Sequence, residues 1–236
     1  MLTPKDIAAM LDHSTLQPFL TDADIQRGCE IALKYHTASV CARPQDMALV
    51  SRILKDSGIK ACTVIGFPHG AHRTDVKVYE AERALDDGCQ ELDMVMAIGK
   101  LKSGALEAVE ADIRAVCQAA HQRGALVKVI LETCYLSPDE IVRACALSEK
   151  AGCDFVKTST GYGTYRARPE DVSLMRKSVS PRVRVKASGG IRDLDGFLSM
   201  YRAGADRAGV SATEAIMQEA ERRFREGILE PSCIVK

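Results

Sequence analysis

Gly124-Ala-Leu-Val-Lys-Val-Ile-Leu131, Ser137-Pro-Asp-Glu140 and Gly152-Cys-Asp-Phe-Val-Lys157 follow one another along the chain and read as strand, helix and strand. The apolar run Leu126–Glu132 has the composition of a buried strand. Ser137, with proline at the first helical position and Glu140 three residues on, carries the reciprocal capping pattern of a helix start. Gly152 supplies the left-handed residue that ends a helix at little steric cost. One βα unit is therefore complete within this segment.

The same punctuation recurs in both directions. Gly58 precedes Ala61-Cys-Thr-Val-Ile-Gly-Phe67, Gly88 precedes Glu91-Leu-Asp-Met-Val95, and Gly204 precedes Asp206-Arg-Ala-Gly-Val210. Intervals of 30, 36 and 28 residues separate Gly58, Gly88, Gly124 and Gly152. The 52 residues from Gly152 to Gly204 hold two units, because Pro181 and Val183-Arg-Val-Lys186 lie between. Thr21 and Asp193 are further N-cap candidates. Helical spacing joins Met47, Val50, Ile53 and Leu54, and again Leu106, Val109, Ile113 and Val116.

Eight strands result: Leu11–Thr15, Ala38–Ala42, Ala61–Phe67, Gln90–Met96, Leu126–Glu132, Asp154–Thr158, Val183–Ser188 and Asp206–Ser211. Eight strands alternating with helices over about 250 residues predict an α/β fold, a single (β/α)8 TIM barrel. With no linker or composition break, residues 1–236 are expected to form one domain. A doubly wound open sheet is the alternative that strand counting leaves standing.

Composition narrows the function. The 236 residues carry 32 basic and 32 acidic side chains, so no cationic excess points to nucleic acid or an acidic membrane surface. Nine cysteines, the closest pair being Cys145 and Cys153, form no CxxC and no zinc spacing. That pattern fits reduced thiols in a cytoplasmic protein. The N-terminus has no apolar signal core, and no run approaches the roughly 18 apolar residues of a membrane span.

Two strand-like runs end in lysine followed by small residues: Asp154-Phe-Val-Lys-Thr-Ser-Thr-Gly161 and Val183-Arg-Val-Lys-Ala-Ser-Gly-Gly190. Desolvating an ammonium is costly, so two lysines at matching strand ends suggest a shared pocket where each lowers the other's proton affinity. An amine freed in this way attacks a carbonyl and forms a Schiff base. Its pKa must fall from about 10.4 toward roughly 7–8, a differential interaction of roughly 4 kcal/mol. Asp93, between Leu92 and Met94, faces the barrel interior if those two face the helices. It is either a proton carrier or a satisfied structural partner. Asp12, Cys41, His69 and Glu132 also fall at strand ends. Cys41 reads as a buried thiol and His69 as a loop-shaping or pocket-edge residue. Lys128 reads as ion-paired or turned to the helix side. The turns at Gly161, Gly189-Gly190 and Gly209 with Ser211 follow the last three strands, where barrels often bind phosphate. Five histidines lack metal-ligand spacing, and no metal or cofactor is expected.

At these residues the chain resembles the deoxyribose-phosphate aldolases, class I aldolases on a TIM barrel. Leu11-Asp-His-Ser-Thr-Leu-Gln-Pro18, Ser39-Val-Cys41 with Pro44, Val64-Ile-Gly-Phe-Pro-His-Gly70, Glu91-Leu-Asp-Met-Val95 and Lys128-Val-Ile-Leu-Glu-Thr133 follow in family order. Phe155-Val-Lys-Thr-Ser-Thr-Gly161, Val185-Lys-Ala-Ser-Gly-Gly-Ile-Arg192 and Gly204-Ala-Asp-Arg207 complete the set. The resemblance implies a Schiff base on Lys157, Lys186 lowering its pKa, and Asp93 in the proton relay. It implies phosphate at Gly161, Gly189, Gly190, Gly209 and Ser211, with Asp12 and Thr160 lining the pocket. The implied reaction is metal-free, reversible cleavage of 2-deoxy-D-ribose 5-phosphate to D-glyceraldehyde 3-phosphate and acetaldehyde, in a homodimer or homotetramer.

The chain also departs from the family pattern. Gly209-Val-Ser-Ala212 keeps the first of two usual serines, and the usual small-residue loop is replaced by Gly163-Thr-Tyr-Arg-Ala-Arg168. One lost hydroxyl donor costs about 1–2 kcal/mol of phosphate affinity, and the new arginines either reach phosphate or sit at a subunit surface. Gln17 and Arg43 differ from common choices, and Leu229-Glu-Pro-Ser-Cys-Ile-Val-Lys236 lacks a terminal tyrosine. A related lysine-dependent aldolase acting on another or an unphosphorylated sugar is the second reading. A barrel that only binds a sugar phosphate is the third.

Overall fold

The computed structural model describes residues 2–229. Met1 and residues 230–236, which hold nearly all of the tyrosine-free tail and both ends of the expected domain, lie outside the described residues. A short helix α1 (Pro4–Ala8) leads into β1 (Leu11–Thr15) and α2 (Asp22–Tyr35), then β2 (Ser39–Ala42) and α3 (Met47–Ile53). Next come β3 (Lys60–Ile65) with α4 (Thr74–Asp86), and β4 (Glu91–Val95) with α5 (Ile98–Lys102) and α6 (Leu106–His121). The second half runs β5 (Leu126–Ile130), α7 (Pro138–Ala151), β6 (Phe155–Lys157), α8 (Pro169–Ser178), β7 (Arg184–Ser188), α9 (Leu194–Arg202), β8 (Arg207–Val210) and α10 (Thr213–Arg225).

All eight expected strands are present, parallel and in sequence order. β8 pairs back onto β1 through Leu11↔Ala208, Asp12↔Gly209 and His13↔Val210. That closure makes the fold a (β/α)8 barrel and removes the open sheet. The expected caps also form. Thr21 with Asp24 and Ser137 with Glu140 make reciprocal capping boxes, Asp193 caps α9, and Gly152 ends α7 at φ 98°. Two strands stop short of their apolar runs, because the backbone turns left-handed at Gly66 (φ 63°) and Glu132 (φ 55°). A parallel ladder cannot continue through such a residue.

The period-2 alternation of the strands divides the interior in two. Val40, Leu92, Met94, Val127, Val129, Val156, Val185 and Ala208 point outward and pack with the helices in one apolar core. The inward positions are largely polar: Asp12, Ser39, Cys41, Cys62, Glu91, Asp93, Lys128, Lys157, Lys186 and Arg207, with Phe155 among them. TIM barrels normally fill this space with bulky aliphatic layers. Here a stack of charges replaces them.

Candidate active site

The inward charges meet at one carboxylate. Asp93, fully buried on β4, accepts from Lys128 through Oδ1 at 2.8 Å. It accepts from Lys157 and Lys186 through the same oxygen, Oδ2, at 2.7 Å each. Lys157 and Lys186 are register partners on β6 and β7, so the two ammonium nitrogens lie within two hydrogen-bond lengths of each other. Below them, Lys128 pairs with Glu91 at 2.6 Å, Lys186 with Asp12 at 2.6 Å, and Arg207 bridges Asp12 and Glu91. Four cations thus share three carboxylates. Lys128, Lys186 and Arg207 each touch two of them, whereas Lys157 touches Asp93 alone.

Burial raises the pKa of the Asp93 carboxyl, but Lys128, Lys157 and Lys186 outweigh it and hold the group well below the carboxylate range. Burial pushes Asp12 the same way, and Arg207 and Lys186 reverse it. The expectation that both lysines lower each other's proton affinity fails for Lys186. Burial would strip its proton, yet Asp12 and Asp93 overcome burial and raise its pKa above the ordinary lysine range. Two carboxylates thus favour the charged form of Lys186 beside Lys157.

Cys41, Cys62 and Asp93 form the one group of described Cys, His and carboxylate side chains close enough to share a metal ion. Both Asp93 oxygens already accept from ammonium groups, and Lys128 lies 3.3 Å from the Cys62 sulfur. A metal cation would have to displace these charges.

Above the cluster lies a cavity of about 240 Å³ at the C-terminal ends of the strands. Its walls bring together Asp12, Lys157, Thr160, Gly161, Lys186, Gly189, Gly190, Gly209 and Ser211, all singled out in the sequence. Asp93 is the exception. It is fully buried beneath the floor, against Lys157, Lys186 and Cys41, which do border the cavity. Glu132 accepts from the Thr160 backbone N–H at 3.2 Å and from its hydroxyl, fixing the turn that follows Lys157. Gly209 must lack a side chain, since a Cβ there would strike the Ser188 hydroxyl and come 3.3 Å from Lys186 Cε. Tyr162 spans the mouth, donating to the Leu16 carbonyl at 3.1 Å and meeting Phe67 edge-on at 5.6 Å. His69 borders a different groove, between the β3 and β4 loops, and takes no part here.

Sequence reasoning missed Lys128, Glu91 and Arg207 as site residues. Lys128 is fully buried and ion-paired, not turned to the helix side. The signal was available: Val127 and Val129 flank it as Leu92 and Met94 flank Asp93, and the two are register partners. Of the two loop arginines, Arg166 borders the cavity. Arg168 instead stacks over Tyr165 at 3.7 Å.

A parallel barrel with a lysine pair on a cavity at its strand ends defines the lysine-dependent barrel lyases. The chain belongs to the DeoC/LacD family aldolases, whose profile matches residues 6–219. It is 49% identical over 217 residues to the deoxyribose-phosphate aldolase of Thermococcus gammatolerans, covering 91% of this chain and 96% of that one. Its identity to the protein of the same name from Exiguobacterium sibiricum is 51% over 213 residues, covering 90% and 96%. Among solved structures, the aldolase QR15 superposes with a TM-score of 0.89 at 39% identity, covering 95% of this chain and 99% of that one. The tetrameric deoxyribose phosphate aldolase of Aeropyrum pernix gives 0.86 at 32% identity, covering 94% and 92%.

Proposed function

We propose that the cavity cleaves 2-deoxy-D-ribose 5-phosphate reversibly to D-glyceraldehyde 3-phosphate and acetaldehyde through a Schiff base on Lys157. The observation that carries this reading is the pairing of Lys157 and Lys186 on one Asp93 oxygen at the cavity floor. With all seven groups ionised the cluster has one cation in excess, and loss of one proton levels it. Lys157 is the member with the fewest carboxylate contacts and borders the cavity. The neutral amine attacks the C1 aldehyde of the open-chain sugar and expels water, leaving an iminium. The C3 hydroxyl then gives up its proton as the C2–C3 bond breaks, and the bonding pair moves through C2 to the nitrogen as an enamine. One proton equivalent, released from the C3 hydroxyl, is returned at C2, and water hydrolyses the resulting iminium to the free amine and acetaldehyde. Lys186 stabilises each anionic stage electrostatically, and Asp93 holds both nitrogens in place. Asp93 meets the cavity-lining groups Lys157, Lys186 and Cys41, whose thiol lies 3.9 Å from Oδ2.

The reading extends to the whole chain as one aldolase domain in the cytoplasm, acting without a metal or organic cofactor. The eight described cysteines, all free, suit a reducing compartment, and no described helix is long and apolar enough to cross a membrane. A homo-oligomer is expected, as in the tetrameric relative. Borohydride added with acetaldehyde should leave an ethyl group on Lys157, and a chelator should not slow acetaldehyde release from deoxyribose 5-phosphate. An unlabelled Lys157 peptide from active enzyme would refute the assignment.

A further inference from the structure

Arg166 occupies the loop between β6 and α8 that departs from the family pattern. The N–H of its neighbour Ala167 donates to the Ser188 carbonyl at 3.2 Å, which ties the loop to the end of β7. The Arg166 stem lies over two glycines. A Cβ on Gly189 would fall 3.2 Å from its Cγ, and one on Gly190 would fall 3.1 Å from its Cδ. The side chain borders the cavity, yet among the described residues its guanidinium has no hydrogen bond or ion pair. The Ser188 hydroxyl, 5% exposed and on the same wall, is likewise without a partner. Arg166 is exposed and its donors are open to solvent at the cavity, whereas the Ser188 hydroxyl on the same wall is buried with its donor unused. Buried donors are rarely left unpaired in a finished site. Guanidinium geometry suits a tetrahedral oxyanion taken through two parallel N–H···O bonds.

We propose that Arg166 binds the substrate's phosphate and sets the preference for a phosphorylated sugar. This rests on the aldolase reading above, with Lys157 holding the other end of the substrate. The test compares wild type, Arg166→Gly, Arg166→Lys and Arg168→Gly. Each is assayed for KM with deoxyribose 5-phosphate and for the rate of borohydride trapping with acetaldehyde, which carries no phosphate. Arg166→Gly should raise KM roughly 10- to 100-fold and leave trapping unchanged. Arg166→Lys should recover part of that loss, and Arg168→Gly should behave as wild type. An unchanged KM in Arg166→Gly, an equal fall in trapping, or the same KM rise in Arg168→Gly would overturn the assignment. Wild type that cleaves no deoxyribose 5-phosphate would instead refute the parent reading, a separate outcome.

Discussion

A buried lysine is not in itself a sign of chemistry, and this chain holds the control. Lys77 on α4 is fully buried, but it pairs one-to-one with Asp112 at 2.6 Å and caps the Val95 carbonyl at 2.9 Å. Lys157 differs because its one carboxylate is shared with two other ammonium groups. Lys157 and Lys186 were legible because each ends an apolar run at a small-residue turn. Lys128 was missed because it lies mid-strand with no small-residue turn after it, although Val127 and Val129 flank it as Leu92 and Met94 flank Asp93. Asp93 carries the largest energetic consequence. Replacing it by Asn leaves three buried cations without their common counter-charge, and breaking a buried ion pair in this way costs roughly 3–5 kcal/mol. Asp93→Asn should therefore lower the unfolding free energy by an amount of that order, read from urea denaturation, and reduce acetaldehyde release at least about 100-fold. A second change, Lys128→Met, should restore part of the stability without restoring activity. A fully active, equally stable Asp93→Asn protein would show that the cluster is not organised around this residue.

Among the elements, helix starts were the most legible part of the sequence, because each capping box is a local signal whose partners lie three residues apart. The five-residue α5 has no side-chain cap and too little periodicity to be read in advance, whereas α1 was missed although Thr3 and Asp6 form a capping box with Pro4 between them. The turn from Thr158 to Arg168 was legible in composition but not in path. Its course depends on Glu132, just past β5, and Ser188, at the end of β7. Packing between elements is equally non-local, as Gly28 on α2 shows. A Cβ there would lie 2.5 Å from Thr15 Cγ2 and 3.2 Å from His13 Nε2, so α2 approaches β1 more closely than any side chain permits. Alanine would gain about 0.8–1.0 kcal/mol in helix propensity. Thr15 is β-branched and cannot swing aside, and overpacking costs typically about 1–3 kcal/mol. The clash should win, so Gly28→Ala is expected to unfold at lower urea concentration than wild type. A raised midpoint would mean that α2 can shift outward freely.

For the molecule as a whole, barrel closure was the feature that strand counting could not supply, because an open sheet and a barrel share one hydrophobic pattern. What separates them is the seam between the first and last strands. Here Arg207 on β8 reaches Asp12 on β1, while His13 on the outer face of β1 bonds Thr213 at the start of α10 at 2.9 Å. Burial pushes the His13 pKa down to about 4, against a smaller upward pull from Glu214. The folded protein therefore holds His13 neutral where the unfolded chain, near its ordinary value of 6.5, takes up a proton. Stability from this group is complete above about pH 6.5 and is lost as pH falls toward 4, by roughly 3 kcal/mol across the window. The depressed carboxyls of Asp12 and Asp93 act later on the same side. Their contribution persists above their unfolded value of 3.8 and declines only below it. Denaturation midpoints taken at intervals from pH 7.5 to pH 4 should fall most steeply in the histidine window for wild type. For His13→Gln, which cannot gain the proton, the curve should run flatter across this whole range. Parallel curves for the two proteins would mean that acid opens the barrel somewhere other than this seam.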